Sequence, residues 1–222
     1  LIEEIHQHAP AVDILVVDDN SPDGTGKWCD ERAQQDSRIH CVHRAGKLGL
    51  GTATIAGMRF AIERGYELVL NLDADFSHHP RYIPDLLAGM DRPGTAGVDV
   101  MIGSRYVAGG GTRDWPLRRR FMSRAVNLYA RTLLGLRVRD CTGAFRCYRT
   151  ELLRRLDFDL VRSRGYSFQE EILWLLKRCG ARFNETPILF ADRERGTSKI
   201  NSREAFSALW LIFGLGMKNW LR

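Results

Sequence analysis

The sequence predicts an α/β fold in which a mostly parallel sheet is flanked by helices. Three observations point there. Short apolar runs alternate with stretches of helical period along nearly the whole chain, the pattern of strand–helix–strand units. The runs Asp13–Asp18 and Leu68–Leu72 are rich in Val, Ile and Leu, which suits buried strands. Both lead into acidic residues, Asp18-Asp19 and Asp73-Ala-Asp75, and the carboxyl edge of an open α/β sheet is where ligands bind.

Taken in order, Leu1, Ile2 and Ile5 form the apolar side of a helix already under way. The strand 13–18 runs into Asp19-Asn-Ser-Pro-Asp-Gly24, where Asn, Pro and Gly supply turn chemistry. Residues 25–35 suit a helix, 39–43 a short strand, 46–51 a Gly-rich loop and 52–64 a helix. After the strand at Leu68 comes a helix over 80–90, with Pro in its first turn. A strand over 98–103 precedes a loop at 104–115 that contains three successive glycines. A long helix over 116–136, a strand over 143–148, a helix over 168–179 and a strand over 182–190 follow. Residues 191–200 read as a polar loop, and 202–221 as a final helix.

With 222 residues, 44% hydrophobic and 27% charged, the chain has enough material for one domain with a sizeable core. Its net charge of +6 is carried mostly by Arg and clusters late, which favours phosphate groups or lipid headgroups held by planar forks. The clustered arginines lack the interleaved aromatics that stack bases, so no nucleic acid is expected. Five cysteines show no Cys-x-x-Cys pair, no zinc spacing and an odd count, so reduced thiols are expected. His78-His79 lies near the acidic pair, but adjacent residues rarely ligate one ion. No secretory signal is visible, and no apolar run reaches the roughly 18 residues that cross a bilayer.

Several clusters carry chemistry. Residues i and i+2 of a strand point the same way, so Asp73 and Asp75 are expected to converge just past the strand end. Two neighbouring anions suit a divalent cation that also holds a diphosphate; a plain turn is the alternative. Asp19 could accept hydrogen bonds from a base or ribose. Gly46-Lys-Leu-Gly-Leu-Gly51 looks like a phosphate loop but fits neither standard spacing. Arg105, at a strand end, would face the ligand edge. Arg119 and Ser123 stand four apart on one helix face and together could hold a phosphate. Leu117, Phe121, Ala125, Leu128 and Leu136 form an apolar stripe beside basic residues, as in a membrane-surface helix or an ordinary amphipathic one. The last helix, with Phe206, Leu209, Trp210, Ile212, Phe213, Leu215, Trp220 and Leu221, is apolar on nearly all sides. Core burial competes there with shallow membrane insertion, with Trp210, Trp220, Lys218 and Arg222 near the headgroups.

Together the motifs Val17-Asp-Asp-Asn-Ser-Pro-Asp-Gly-Thr25, Gly49-Leu-Gly-Thr-Ala53, Asp73-Ala-Asp75-x-x-His-His-Pro80, Gly103-Ser-Arg-Tyr106, Asp140-Cys-Thr-Gly-Ala-Phe-Arg146, Gly165-Tyr-x-Phe-Gln169 and Gly196-Thr-Ser-Lys199 resemble the family-2 glycosyltransferases of GT-A fold. More narrowly, they resemble the dolichol- or polyprenol-phosphate mannosyltransferases. The resemblance covers essentially the whole chain. It divides the chain into a catalytic unit, 1–200, and a C-terminal apolar helix, 201–222. It implies inverting transfer of mannose from GDP-mannose to a polyprenyl phosphate, with UDP-glucose or another nucleotide sugar as the alternative donor. Asp75, Arg105 and Arg119 would be the catalytic residues. Val17, Asp19, Lys47, Asp73, Ala74 and Asp75 would bind the nucleotide, and Asp73 and Asp75 would hold Mg²⁺ or Mn²⁺. Arg105, Arg119, Ser123, Arg193, Arg195 and Lys199 would bind the acceptor phosphate. The family usually opens with a strand ending in a Pro-Thr-Tyr-Asn-Glu type motif, and this sequence begins after it. Relatives reach the membrane through transmembrane helices or partner subunits, so a peripheral enzyme on the cytoplasmic face, with an anchoring partner or fused domain, is expected. Chemistry agrees with this reading. A phosphate monoester, with its second pKa near ~6, is largely dianionic at neutral pH and needs positioning rather than a general base.

Overall fold

The computed structural model describes residues 1–91, 97–163, 165–192 and 202–220, the last segment with side chains for 206–219. The chain opens with α1 (Ile2–His8) and continues through β1 (Ile14–Asp18), α2 (Thr25–Gln35), β2 (Ile39–His43), α3 (Leu50–Glu63) and β3 (Leu68–Asn71). A 3₁₀ turn at Pro80–Tyr82 enters α4 (Ile83–Met90), followed by β4 (Val100–Ser104). The short β5 (Gly111–Thr112) precedes the long α5 (Leu117–Leu134). Then come β6 (Arg146–Arg149), α6 (Thr150–Arg154), α7 (Phe168–Arg178), β7 (Phe183–Pro187), β8 (Leu189–Phe190) and α8 (Ser202–Trp220).

The α/β class holds, with refinements that local sequence pattern does not encode. β1 pairs with β2 in parallel, from Ile14 opposite Ile39 to Asp18 opposite His43. A second sheet has the order β3-β6-β4-β7. Within it β4 and β7 run parallel, while β6 runs against both of its neighbours. The strand expected over 143–148 is therefore β6, beginning later and reversed. The strand expected over 182–190 breaks at Ile188, so that β7 pairs with β4 and β8 pairs with β5. That last ladder pins Gly111 and Thr112, near the end of the Gly-rich 104–115 loop. α6 was not expected at all.

Helix α3 packs against both β1 and β3 and so bridges the two sheets. Its entry is tight: a Cβ on Gly51 would lie 2.8 Å from the Ser163 carbonyl and 2.8 Å from the Phe168 ring. One apolar core joins Met58, Val100, Ile102, Ala130, Leu134, Ile172, Leu176, Ile212 and Leu215, so α8 contributes to it directly. A second, around Ile5, Ile14, Leu86, Met101, Phe145 and Ile188, fills the other side of the sheet. α5 ends at Gly135 in the left-handed region (φ 61°), and Lys177 Nζ donates to the last carbonyl, Leu134 O, at 2.9 Å. Among the described residues no helix is long and apolar enough to cross a membrane.

Candidate active site

β3 ends at Asn71, so Asp73 and Asp75 lie beyond the paired strand, in a turn that passes through Phe76 at φ 62°. Strand alternation, the expected reason for their convergence, does not apply; the turn sets their positions. The Asp73 N–H donates to His78 Nδ1 at 3.2 Å, and that nitrogen stands 3.7 Å from Asp73 Oδ2. Asp75 Oδ1 accepts from the Ser77 N–H at 3.1 Å and the Ser77 hydroxyl at 2.5 Å. Burial of His78 pushes its pKa below the ordinary value, so it stays a neutral acceptor. His79 caps the Arg81 N–H, and Ala74 is exposed. The half-exposed carboxylates of Asp73 and Asp75 are hard oxygen donors. They fit an ion such as Mg²⁺, which takes one or two carboxylates and completes its shell with water and phosphate oxygens.

At the end of β1, both Asp19 oxygens are clasped by Arg44, with Nε at 2.6 Å and Nη2 at 2.7 Å. Arg44 Nη1 also donates to Thr52 Oγ1 at 2.7 Å, which ties this turn to the start of α3. Val17 is half-buried on β1, and Lys47 is exposed on the Gly-rich loop. Arg44 was missed in the sequence because its partner lies 25 residues away.

Arg105 follows β4 and is nearly buried. Its Nε and Nη2 bind Asp140 Oδ2 and Oδ1, each at 2.7 Å, and Nη2 reaches Thr142 Oγ1 at 2.6 Å. Burial opposes both charges. Their mutual attraction and hydrogen bonds outweigh it, holding Asp140 below the usual carboxylate range and Arg105 above the usual guanidinium range. Asn127 steadies the same loop by accepting the Cys141 N–H at 2.7 Å. The fully buried Arg146 donates to the carbonyls of Cys141 and Gln169. On α5, Ser123 Oγ accepts from the Tyr106 hydroxyl at 2.7 Å. Arg119 pairs with Asp192 at 2.7 Å and lies 4.0 Å over the Trp115 ring. Arg193, Arg195 and Lys199 lie outside the described residues.

A small pocket of about 50 Å³ is lined by Arg105, Tyr106, Trp115, Arg120 and Arg124, together with the backbone segment 110–112. The sequence motif points to Arg119 and Ser123, whereas the pocket is lined by their neighbours Arg120 and Arg124. They follow one flank of the Leu117, Phe121, Leu128 stripe, and the spacing alone could have flagged them. Phe190 joins the two halves. Its ring meets His78 edge-on at 5.2 Å, Trp115 at 5.4 Å and the Arg105 guanidinium at 5.5 Å.

An α/β sheet with an acidic turn at the strand ends, coupled through aromatic rings to an arginine-lined pocket, is a GT-A type architecture. The chain belongs to glycosyl transferase family 2, which it matches over residues 2–157. It is 42% identical over 219 residues to the polyprenol monophosphomannose synthase of Mycolicibacterium smegmatis, covering 98% of this chain and 81% of that protein. It is 46% identical over 192 residues to the undecaprenyl-phosphate mannosyltransferase of Micrococcus luteus, covering 86% and 77%. Among solved structures, the glucosyl-3-phosphoglycerate synthase of Mycobacterium tuberculosis with Mn²⁺, UDP-glucose and phosphoglyceric acid shares the fold. Its TM-score is 0.62 and its identity 22%, over 96% of this chain and 75% of that one.

Proposed function

We propose that this glycosyltransferase moves mannose from GDP-mannose to a polyprenyl phosphate, with inversion at the anomeric carbon. The observation that carries the reading is the arginine pocket lying along an exposed apolar helix face. A phosphate head on a hydrocarbon tail has the shape and polarity to use both. The names of the two relatives, each above 40% identity, support the same acceptor and sugar.

In this reading Val17, Asp19, Lys47, Asp73, Ala74 and Asp75 contact the nucleotide. Mg²⁺ or Mn²⁺ held by Asp73 and Asp75 would offset the charge that gathers on the departing diphosphate. Arg105, Arg119 and Ser123 orient the acceptor phosphate, with Arg193, Arg195 and Lys199 assigned there by motif and Arg120 and Arg124 by the pocket. Arg105 acts as a fixed cation, its geometry set by Asp140 before any substrate arrives, so little reorganisation accompanies attack. No residue need remove a proton, because the attacking oxygen is already anionic. We read the protein as peripheral to the cytoplasmic face of a membrane, with residues 201–222 as its interfacial helix and a partner or fused domain as anchor.

The test supplies labelled GDP-mannose, polyprenyl phosphate in vesicles, and Mg²⁺ or Mn²⁺. Mannose should pass into the organic phase as a lipid-linked product. Equal or better transfer from UDP-glucose would overturn the donor assignment. Asp75→Asn should lose metal-dependent transfer by at least about a hundredfold while melting like the parent; a fully active variant would remove Asp75 from the ion's ligands.

A further inference from the structure

The geometry points to a second metal site, for Zn²⁺, built from Asp30, Cys41 and His43 between α2 and β2. It involves none of the groups assigned to sugar transfer. Cys41 and His43 stand two apart on β2 and therefore project to the same face. Asp30 reaches them from α2. One donor atom from each of the three lies within 4.8 Å of the other two. The imidazole presents both nitrogens to acceptors: Nε2 is 2.9 Å from Asp30 Oδ1, while Nδ1 is 4.0 Å from Cys41 Sγ and 4.0 Å from Asp18 Oδ2.

Two further observations favour a built site over a chance cluster. Asp18 is buried and has an oxygen 4.0 Å from His43 Nδ1, so a small rotation of the ring would bring it to a carboxylate that orients a metal-bound histidine. Gly26 leaves the space for this arrangement, since a Cβ there would lie 2.7 Å from Asp18 Oδ2 and 3.1 Å from the ring.

The donor set selects the ion. A thiolate, an imidazole and a carboxylate suit Zn²⁺, whereas Mg²⁺ and Mn²⁺ favour oxygen ligands. Zinc–ligand lengths near 2.0–2.3 Å imply donor separations of roughly 3.5 Å in a tetrahedron. The donors must shift to reach that spacing, which the exposed Asp30 and His43 side chains can do by rotating. A water would take the fourth position. Binding releases the Cys41 proton and ties α2 to β2, the two elements beside the turn that carries Asp19.

The test uses Co²⁺ as a spectroscopic stand-in on the whole protein. One equivalent should give thiolate-to-metal charge-transfer absorption, and Zn²⁺ should bleach it and raise the melting temperature. Cys41→Ser and His43→Ala should each lose the band, while Asp75→Asn keeps it, separating this site from the acidic turn. If Cys41→Ser does not fold, His43→Ala and Asp30→Asn carry the same readout. Absence of a thiolate band in the parent, or a band unchanged in His43→Ala, overturns the site.

Discussion

Asp140 has no exposed surface, and its carboxylate survives there because Arg105 meets it with two parallel hydrogen bonds. Two further N–H groups, from Arg105 and Gly143, complete its shell. Removing one member of such a pair strands the other charge in the interior. Asp140→Ala should therefore cost about 3–5 kcal/mol, read as a fall in the urea midpoint. Asp140→Asn should cost less and still weaken transfer, because Arg105 loses its orientation. Glu170 makes the pH-dependent counterpart. Burial pushes it up to about 7, against the opposing pull of its own backbone N–H and of Arg146. A raised carboxyl contributes stability that is complete below the ordinary value of 4.5 and lost as pH rises through about 7. His78, lowered by burial, works on the other flank, and its contribution fades as pH falls below 6.5. Glu170→Gln should flatten the decline in melting temperature between about pH 5 and pH 8. An unchanged slope would place the titration elsewhere.

At the scale of elements, what could be read in advance was what local period encodes. α2 has the bounds expected from its pattern, 25–35, and β2 likewise spans 39–43. β6 was found but not its direction, because a strand's side-chain alternation is the same read either way. β5 and β8, two residues each, are too short to show any period and exist only because they pair with each other. The site follows the same rule. Arg105 and the acidic pair were visible as strand-end residues, whereas Arg44–Asp19 and Arg105–Asp140 are partnerships across 25 and 35 residues that only the fold reveals. α3 offers a test of close packing at this scale. Because the Ser163 carbonyl is backbone and cannot swing aside, Gly51→Ala must shift the start of α3 or the 163–168 segment. A loss of about 1–3 kcal/mol is expected from overpacking, measurable by chemical denaturation. A neutral result would mean that the approach at Gly51 is looser than the contacts require.

Across the whole molecule, charge and apolar surface are arranged on α5 and α8 in a way the core does not need. Ile212 and Leu215 of α8 turn inward, and the Tyr129 hydroxyl of α5 bonds the Leu209 carbonyl, so the two helices are fixed to each other and to the body. Yet Phe121 is 73% exposed on α5 and Trp210 is 76% exposed on α8, with Leu117, Leu128 and Phe206 similarly open. Arg120, Arg124 and Arg131 run beside the α5 stripe, and the chain as a whole carries a net charge of +6. Such a surface should bind anionic vesicles through two separable contributions. Each basic residue near the surface adds about 1 kcal/mol, and this part weakens as salt rises. Each large apolar side chain that enters the interface adds roughly 1.5–3 kcal/mol and is insensitive to salt. Phe121→Asp and Trp210→Asp should each weaken vesicle co-sedimentation by about tenfold or more at every salt concentration. Arg120→Ala with Arg124→Ala should instead weaken binding mainly at low salt, and should raise the KM for polyprenyl phosphate while leaving that for the sugar nucleotide alone. If Phe121→Asp binds vesicles like the parent, the exposed stripe is not the membrane face, and the hydrocarbon tail of the acceptor must lie along another surface.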